Sequence, residues 1–446
     1  MDFIPMGFEI GRPLKTILLH TDANLRFTLT RRIPEIRLTE KEVPLRIESL
    51  SLNEFETVIN NQSYKLGVYR LYHTEDIPIG IKFRNEWGGV SGDLDQYGFE
   101  VPSGLSPILN GDVSFRTQFA DDHRRDTEEL ERTFQINLTR NEDALAKINQ
   151  LESEGKTVED FLAGPMNEND QRLRPYLKTP KEQLQRGVNG WRSALLPFHY
   201  RQNNLSPPYT CYIQLTITQG NVTNIQRYEY NQKLYEAAKK LNEILFANRQ
   251  VIIVNQFKGD SFNVLRLPIA LKIFANFVYG YNEQIVPMSS FVDSSRILAE
   301  LRMVINHEFN LIFQHSFVRN AEKLSIFPHQ GHFDQLAKAL ETIENQRIHI
   351  GFSQYDKPSA NNYFQLLQGW LSTKRNVGSK ITFGLKTDQI GEEIIEMVRN
   401  GNEGTESTER CVTVPHSEAT KVKISYSPRD MGRNYKFLLA ARIIKA

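Results

Sequence analysis

Apolar and polar positions alternate with period two through much of the first 118 residues, the pattern of strands with one buried face. Leu25, Phe27 and Leu29 alternate with Arg26, Thr28 and Thr30, and residues 43–47, 64–71, 79–83 and 113–117 read the same way. Spacers rich in Gly, Asn, Asp and Pro separate these runs. Repeated short strands with turn signals predict a β-rich, sandwich- or barrel-like domain over residues 1–120. Residues 88–93 and 102–104 read as a long loop carried on it.

The texture changes at Asp121. A charge run there leads to Asp126 or Thr127, either of which can cap a helix with Glu128 and Glu129 in its first turn. Leu130, Phe134, Ile136, Leu138, Leu145, Ile148 and Leu151 carry that helix to about residue 152. Residues 155–208 are polar and hold Pro165, Pro175, Pro180, Pro197, Pro207 and Pro208, which predicts an extended connecting arm within a 121–210 region. The apolar island at 191–200, which includes Trp191 and Tyr200, is expected to dock on another surface.

From residue 211 to 446 strand and helix patterns mix. Residues 212–218 alternate like a strand, and 251–254 form a β-branched run typical of a buried one. Leu234, Ala237, Leu241, Ile244 and Leu245 mark a helical face over 233–247. Further helices are predicted from Ser294 or Ser295 through Ile297, Leu298, Leu301 and Ile305, and around Phe333 to Ile343, Tyr363 to Leu371 and Ile390 to Val398. Strands are expected at 348–352, 381–385, 411–414, 422–426 and 435–443. The predicted class is therefore α+β: a β-rich N-terminal region, a helical and extended arm, and a mixed C-terminal region ending in strands.

Length and composition narrow the function classes. A chain of 446 residues is long for one hydrophobic core, so two or three domains are expected. The 54 basic and 53 acidic side chains nearly cancel, so overall charge steers the chain toward neither nucleic acid nor an anionic membrane. Cys211 and Cys411 are the only cysteines, too few and too distant for a disulfide scaffold. No run of apolar residues is long enough for a spanning helix, and Asp2 stands where a signal peptide needs basic charge. The Asn-x-Ser/Thr triplets at Asn61, Asn137, Asn204 and Asn221 then read as chance matches. An intracellular or virion location without membrane association follows as the expectation.

No motif carries chemistry outright. The phosphate-binding glycine loops are absent, and Gly88, Gly89 and Gly92 lack the lysine and helix that such a loop needs. Asp93 and Asp95 begin a faint calcium loop, but Tyr97 and Gly104 stand where ligands belong. His329 and His332 could share a metal with Asp334, although Gly331 breaks any helix across them and a helix start is the commoner meaning. His307–Glu308 lacks the second histidine of a zinc helix, because Leu311 occupies its place. Gly259-Asp260-Ser261 after an apolar strand resembles a nucleophile turn, the one hydrolase-like hint, although ordinary turn chemistry is the much commoner meaning. Asp121, Asp122 and His123 adjoin Arg124 and Arg125, a self-neutralised helix start. Those arginines and the Arg31–Arg32 pair are the doublets that could meet phosphates. Phe274, Phe277 and Tyr279 sit in apolar company, which predicts core packing rather than base stacking.

These observations assign no catalytic residue, metal or cofactor. The function they favour is a non-enzymatic structural or assembly protein, such as a viral shell subunit, whose partners are further copies of itself or other subunits. An α/β hydrolase near Gly259–Ser261 and a nucleic-acid-binding protein are the alternatives.

Overall fold

The computed structural model describes residues 11–101, 105–115, 127–259, 263–306, 312–328, 332–353, 356–401, 406–428 and 435–446. It opens with helices α1 (Gly11–His20), α2 (Ala23–Arg32) and α3 (Arg37–Glu42), then strands β1 (Leu45–Leu52), β2 (Glu56–Ile59) and β3 (Gln62–Tyr72). Next come α4 (Ile79–Glu86), β4 (Val113–Ser114) and four helices, α5 (Glu128–Ser153), α6 (Val158–Ala163), α7 (Glu168–Leu177) and α8 (Lys181–Gln202). Strands β5 (Tyr209–Gln219) and β6 (Val222–Glu229) precede α9 (Leu234–Phe246), β7 (Ile252–Gly259), β8 (Val264–Leu265) and β9 (Phe274–Tyr281). Strand then alternates with helix through α10 (Asn282–Met288), β10 (Leu298–Ile305), α11 (Ser316–Arg319), β11 (Ala321–Pro328), α12 (Phe333–Leu340), β12 (Arg347–Ile350), α13 (Ala360–Leu371), β13 (Lys380–Leu385) and α14 (Asp388–Asn400). Four strands end the chain, β14 (Glu406–Thr408), β15 (Cys411–Ser417), β16 (Thr420–Pro428) and β17 (Phe437–Lys445).

The class is α+β, but the N-terminal strands do not close a barrel of their own. They join one 15-stranded sheet in the order β14-β15-β16-β17-β13-β12-β11-β10-β9-β7-β1-β2-β3-β5-β6. Its centre, from β1 through β7 and β9 to β13, is parallel, and antiparallel strands flank it on both sides. From β9 to β13 each new strand is laid beside the previous one, always on the same side. Right-handed crossovers repeated in one direction put their helices on one face of a sheet. The burial follows: Leu301, Met303, Leu324, Ile326, Ile348, Ile350, Ile381 and Phe383 share a core with Leu336, Leu340, Leu366, Trp370 and Ile394 of α12–α14.

Three sequence expectations need correction. Leu25–Thr30 is helical, because the Asp22 carboxylate accepts from the backbone N–H of Asn24 and Leu25 and starts α2. Arg26, taken for an exposed strand position, is buried on Glu40 at 2.8 Å. Residues 79–83 likewise form α4, entered from Pro78. The helix predicted through Leu298, Leu301 and Ile305 is strand β10, in which Leu301, Met303 and Ile305 alternate toward the core.

The predicted arm at 155–208 is three helices. Its prolines mark helix ends and tolerate helix interiors: Pro180 caps α8, whereas Pro175 and Pro197 lie inside α7 and α8. Thr157 and Asn167 cap α6 and α7. The apolar island does dock: Trp191 packs on Phe134 of α5, and Phe198 meets Phe99 edge-on at 4.8 Å. Helices α5, α7 and α8 share a small separate core.

Candidate functional site

Helices α9 and α12–α14 pack on one face of the sheet. The other face carries the side chains that alternate with the core positions, and its composition is unusual. Residues paired across neighbouring strands point to the same face. One such row runs Ser49, Gln256, Phe277, Glu300, Lys323, Arg347, Lys380, Arg442, Lys423, Thr413, Glu406. Two residues further along each strand the next row runs Ser51, Lys258, Tyr279, Arg302, Ser325, His349, Thr382, Ala440, Ser425, Cys411. Seven Lys or Arg face two Glu on these rows. Lys323, Arg347, Lys380, Arg442 and Lys423 lie on five adjacent strands without interruption, spanning about 19 Å at the usual strand spacing.

The acids that adjoin the ladder hold its near end in place. Glu300 accepts from Arg302 at 2.8 Å, Lys323 at 3.1 Å and Ser325 at 2.8 Å. Burial alone would raise its carboxyl, but these hydrogen bonds outweigh burial and hold it at about 2. Arg347 pairs with Glu322 at 2.9 Å, an exposed contact. Among the described residues no ion pair engages Lys380, Arg442 or Lys423.

Beside the ladder the face hollows into a cleft of about 550 Å³, lined by Ser49, Ser51, Gln256, Lys258, Phe277, Tyr279 and Arg302 among others. Phe277 is 37% exposed, and the Lys258 ammonium lies 5.8 Å from the Tyr279 ring. Here the expectation of core packing for Phe277 fails, since β9 turns it to the open face. At the far end of the strands Tyr435 lies over Gly384, where a Cβ would stand 2.5 Å from its ring. The open face is thus bounded by Tyr435 at the C-terminal ends of the parallel strands.

The other sequence candidates are not gathered at this face. The Asp93 carboxylate accepts from the Leu234 N–H at 2.7 Å and from the Tyr230 hydroxyl, pinning the start of α9. His332 stands at the N-cap of α12 with Asp334 in the first turn, the helix-start arrangement. Arg31 and Arg32 end α2. Gly259 closes β7, while Asp260, Ser261, His307, Glu308, Leu311, His329, Gly331 and Asp121–Arg125 lie outside the described residues. Among the described residues no group of three His, Cys, Asp or Glu could hold a metal, and no helix is long and apolar enough to cross a membrane. Cys211 and Cys411 are unpaired. Two larger hollows lie elsewhere, about 660 Å³ between α4 and α8 and about 910 Å³ between α2 and α9.

Pattern reading passed over the basic residues because each occupies an ordinary polar position of its own strand. Only the pairing register lines them up.

The fold thus has one sheet face packed under α9 and α12–α14 and a second on which the basic row from Lys323 to Lys423 is open, while Glu300, Ser325 and His349 beside it are buried. A family model described as a domain of unknown function (DUF3557) matches residues 233–387, which run from α9 to just past β13 and so contain the parallel strands β7 to β13. No curated protein and no solved structure matches the chain.

Proposed function

We propose that the protein is a non-enzymatic binding protein, a component of a larger assembly that holds an anionic partner against the open face of its sheet. The observation that carries this reading is the unbroken ladder of Lys323, Arg347, Lys380, Arg442 and Lys423 on adjacent strands. Like charges directly opposite one another destabilise a sheet. A chain whose total charge is +1 has concentrated positive side chains at mutual cost on one surface. An anionic partner relieves that repulsion and gains from it. An extended arm at 155–208 would suit a shell subunit that drapes over its neighbour; helices α6–α8 take its place, and the assembly role rests on the open face instead.

Heparin, a sulfated polyanion, tests the reading with the full chain. The wild type is expected to be retained on immobilised heparin and to elute at clearly higher salt than the double variant Lys380→Glu, Arg442→Glu. A control variant, Arg192→Glu on the outer side of α8, should elute with the wild type. Coincident elution of all three proteins would overturn the proposal.

A further inference from the structure

The geometry points to single-stranded nucleic acid as the partner of this face, an inference that rests on the open face being the binding surface. Three features separate it from other anions. First, aromatic rings stand beside the cations. Phe277 and Tyr279 occupy successive open-face positions of β9, Phe277 exposed between Gln256 and Glu300, Tyr279 between Lys258 and Arg302. Exposed rings on a sheet are platforms for unstacked bases, and every base has a face that stacks. Second, the rings line a cleft of about 550 Å³, which lies within the usual size range of small-ligand pockets. A duplex keeps its bases stacked inside the helix and cannot place one there without extruding it. Third, the ladder leads away from this cleft in a line about 19 Å long, at about 5 Å intervals. A phosphodiester strand with a base in the cleft can lay its following phosphates along Lys323, Arg347, Lys380, Arg442 and Lys423. An acidic peptide would use the ladder but has no group for the rings. The side chains that would orient the base edge are Gln256, Ser49 and Ser51, which line the same cleft.

The test is fluorescence anisotropy with full-length protein and a labelled oligouridine of twenty nucleotides, against a duplex of equal length and an oligoglutamate peptide, over a series of salt concentrations. The single strand is expected to bind most tightly. The plot of log affinity against log salt should slope at about −3 to −4, as five phosphate contacts on a single strand require. Phe277→Ala should weaken oligouridine binding about tenfold or more with the slope unchanged. Lys380→Glu with Arg442→Glu should flatten the slope by at least about one. Both sites are at the surface, and unchanged circular dichroism and melting profiles exclude misfolding as the cause.

Preference for oligoglutamate, lost on charge reversal but indifferent to Phe277→Ala, would overturn the nucleic-acid inference and leave the binding face standing. Preference for the duplex would overturn it in the same way. Binding of no probe, or binding insensitive to the Lys380 and Arg442 reversals, would overturn both.

Discussion

Glu300 is the residue on which the open face depends most. It is an acid among cations, and through it Arg302, Lys323 and Ser325 are held at fixed distances. Its carboxyl sits at about 2, against an ordinary value of 4.5. A group whose folded pKa is depressed contributes stability above the unfolded value and loses it as pH falls to the folded one. Glu300→Gln should therefore cost on the order of 2 kcal/mol at pH 7. That cost should shrink between about pH 4.5 and 2 and vanish below. Urea unfolding of the two proteins at pH 7, 4 and 2 would show it, and a gap independent of pH would refute it. Arg375 shows the same economy at another site, donating from one buried guanidinium to the carbonyls of Trp370, Leu340 and Ile343 at the ends of two helices. Neither role can be read from local sequence alone, because Lys323 and Ser325 on one side and Leu340 and Ile343 on the other come from distant parts of the chain.

Elements were legible where periodicity ran long. Helices α9, α12, α13 and α14 show a one-sided apolar face over two turns or more, and α5 adds the Thr127 cap. Short segments misled. Six residues of α2 fit both periods, and what decides them is the Asp22 cap and the pull of Arg26 toward buried Glu40. Strand β10 was misread because Leu298, Leu301 and Ile305 also fit a helix, while its place between β9 and β11 makes it extended. The ladder formed by β11, β12, β13, β17 and β16 belongs to this scale too. Like charges on paired strand positions cost several tenths of a kcal/mol each. Lys380→Gln should raise the stability of the free protein by about 0.5 kcal/mol at low ionic strength. The gain should fade in concentrated salt, where screening relieves the wild type as well. Urea midpoints at two salt concentrations decide it; a less stable variant would mean that Lys380 serves the fold.

In the whole molecule, the N-terminal strands and the parallel unit are fastened by buried charge. Asp112 accepts from Lys239 of α9 at 2.9 Å and from Arg266 after β8 at 2.8 Å, and Arg266 also reaches Glu54 between β1 and β2 at 3.1 Å. Asp112→Ala leaves two cations buried and should cost about 3–5 kcal/mol. Glu142→Ala, which breaks an exposed pair with Arg192, should cost about 1 kcal/mol or less. Thermal or urea unfolding compares them directly, and equal losses would show that the buried cluster fastens nothing. Such joins were beyond reading from the chain, as was the pairing of β1 with β7, since neither follows from local pattern. That pairing also bears on synthesis. Strand β1 lies between β2 and β7, so its parallel neighbour is roughly two hundred residues downstream, and closing so long a loop is a late event in folding. At the ordinary pace of translation this is a wait of about 10 to 40 seconds. During it the nascent hairpins β1–β2–β3 leave the ribosome with an unpaired edge, which exposes this stretch of the chain to pairing with other chains before it is part of a fold.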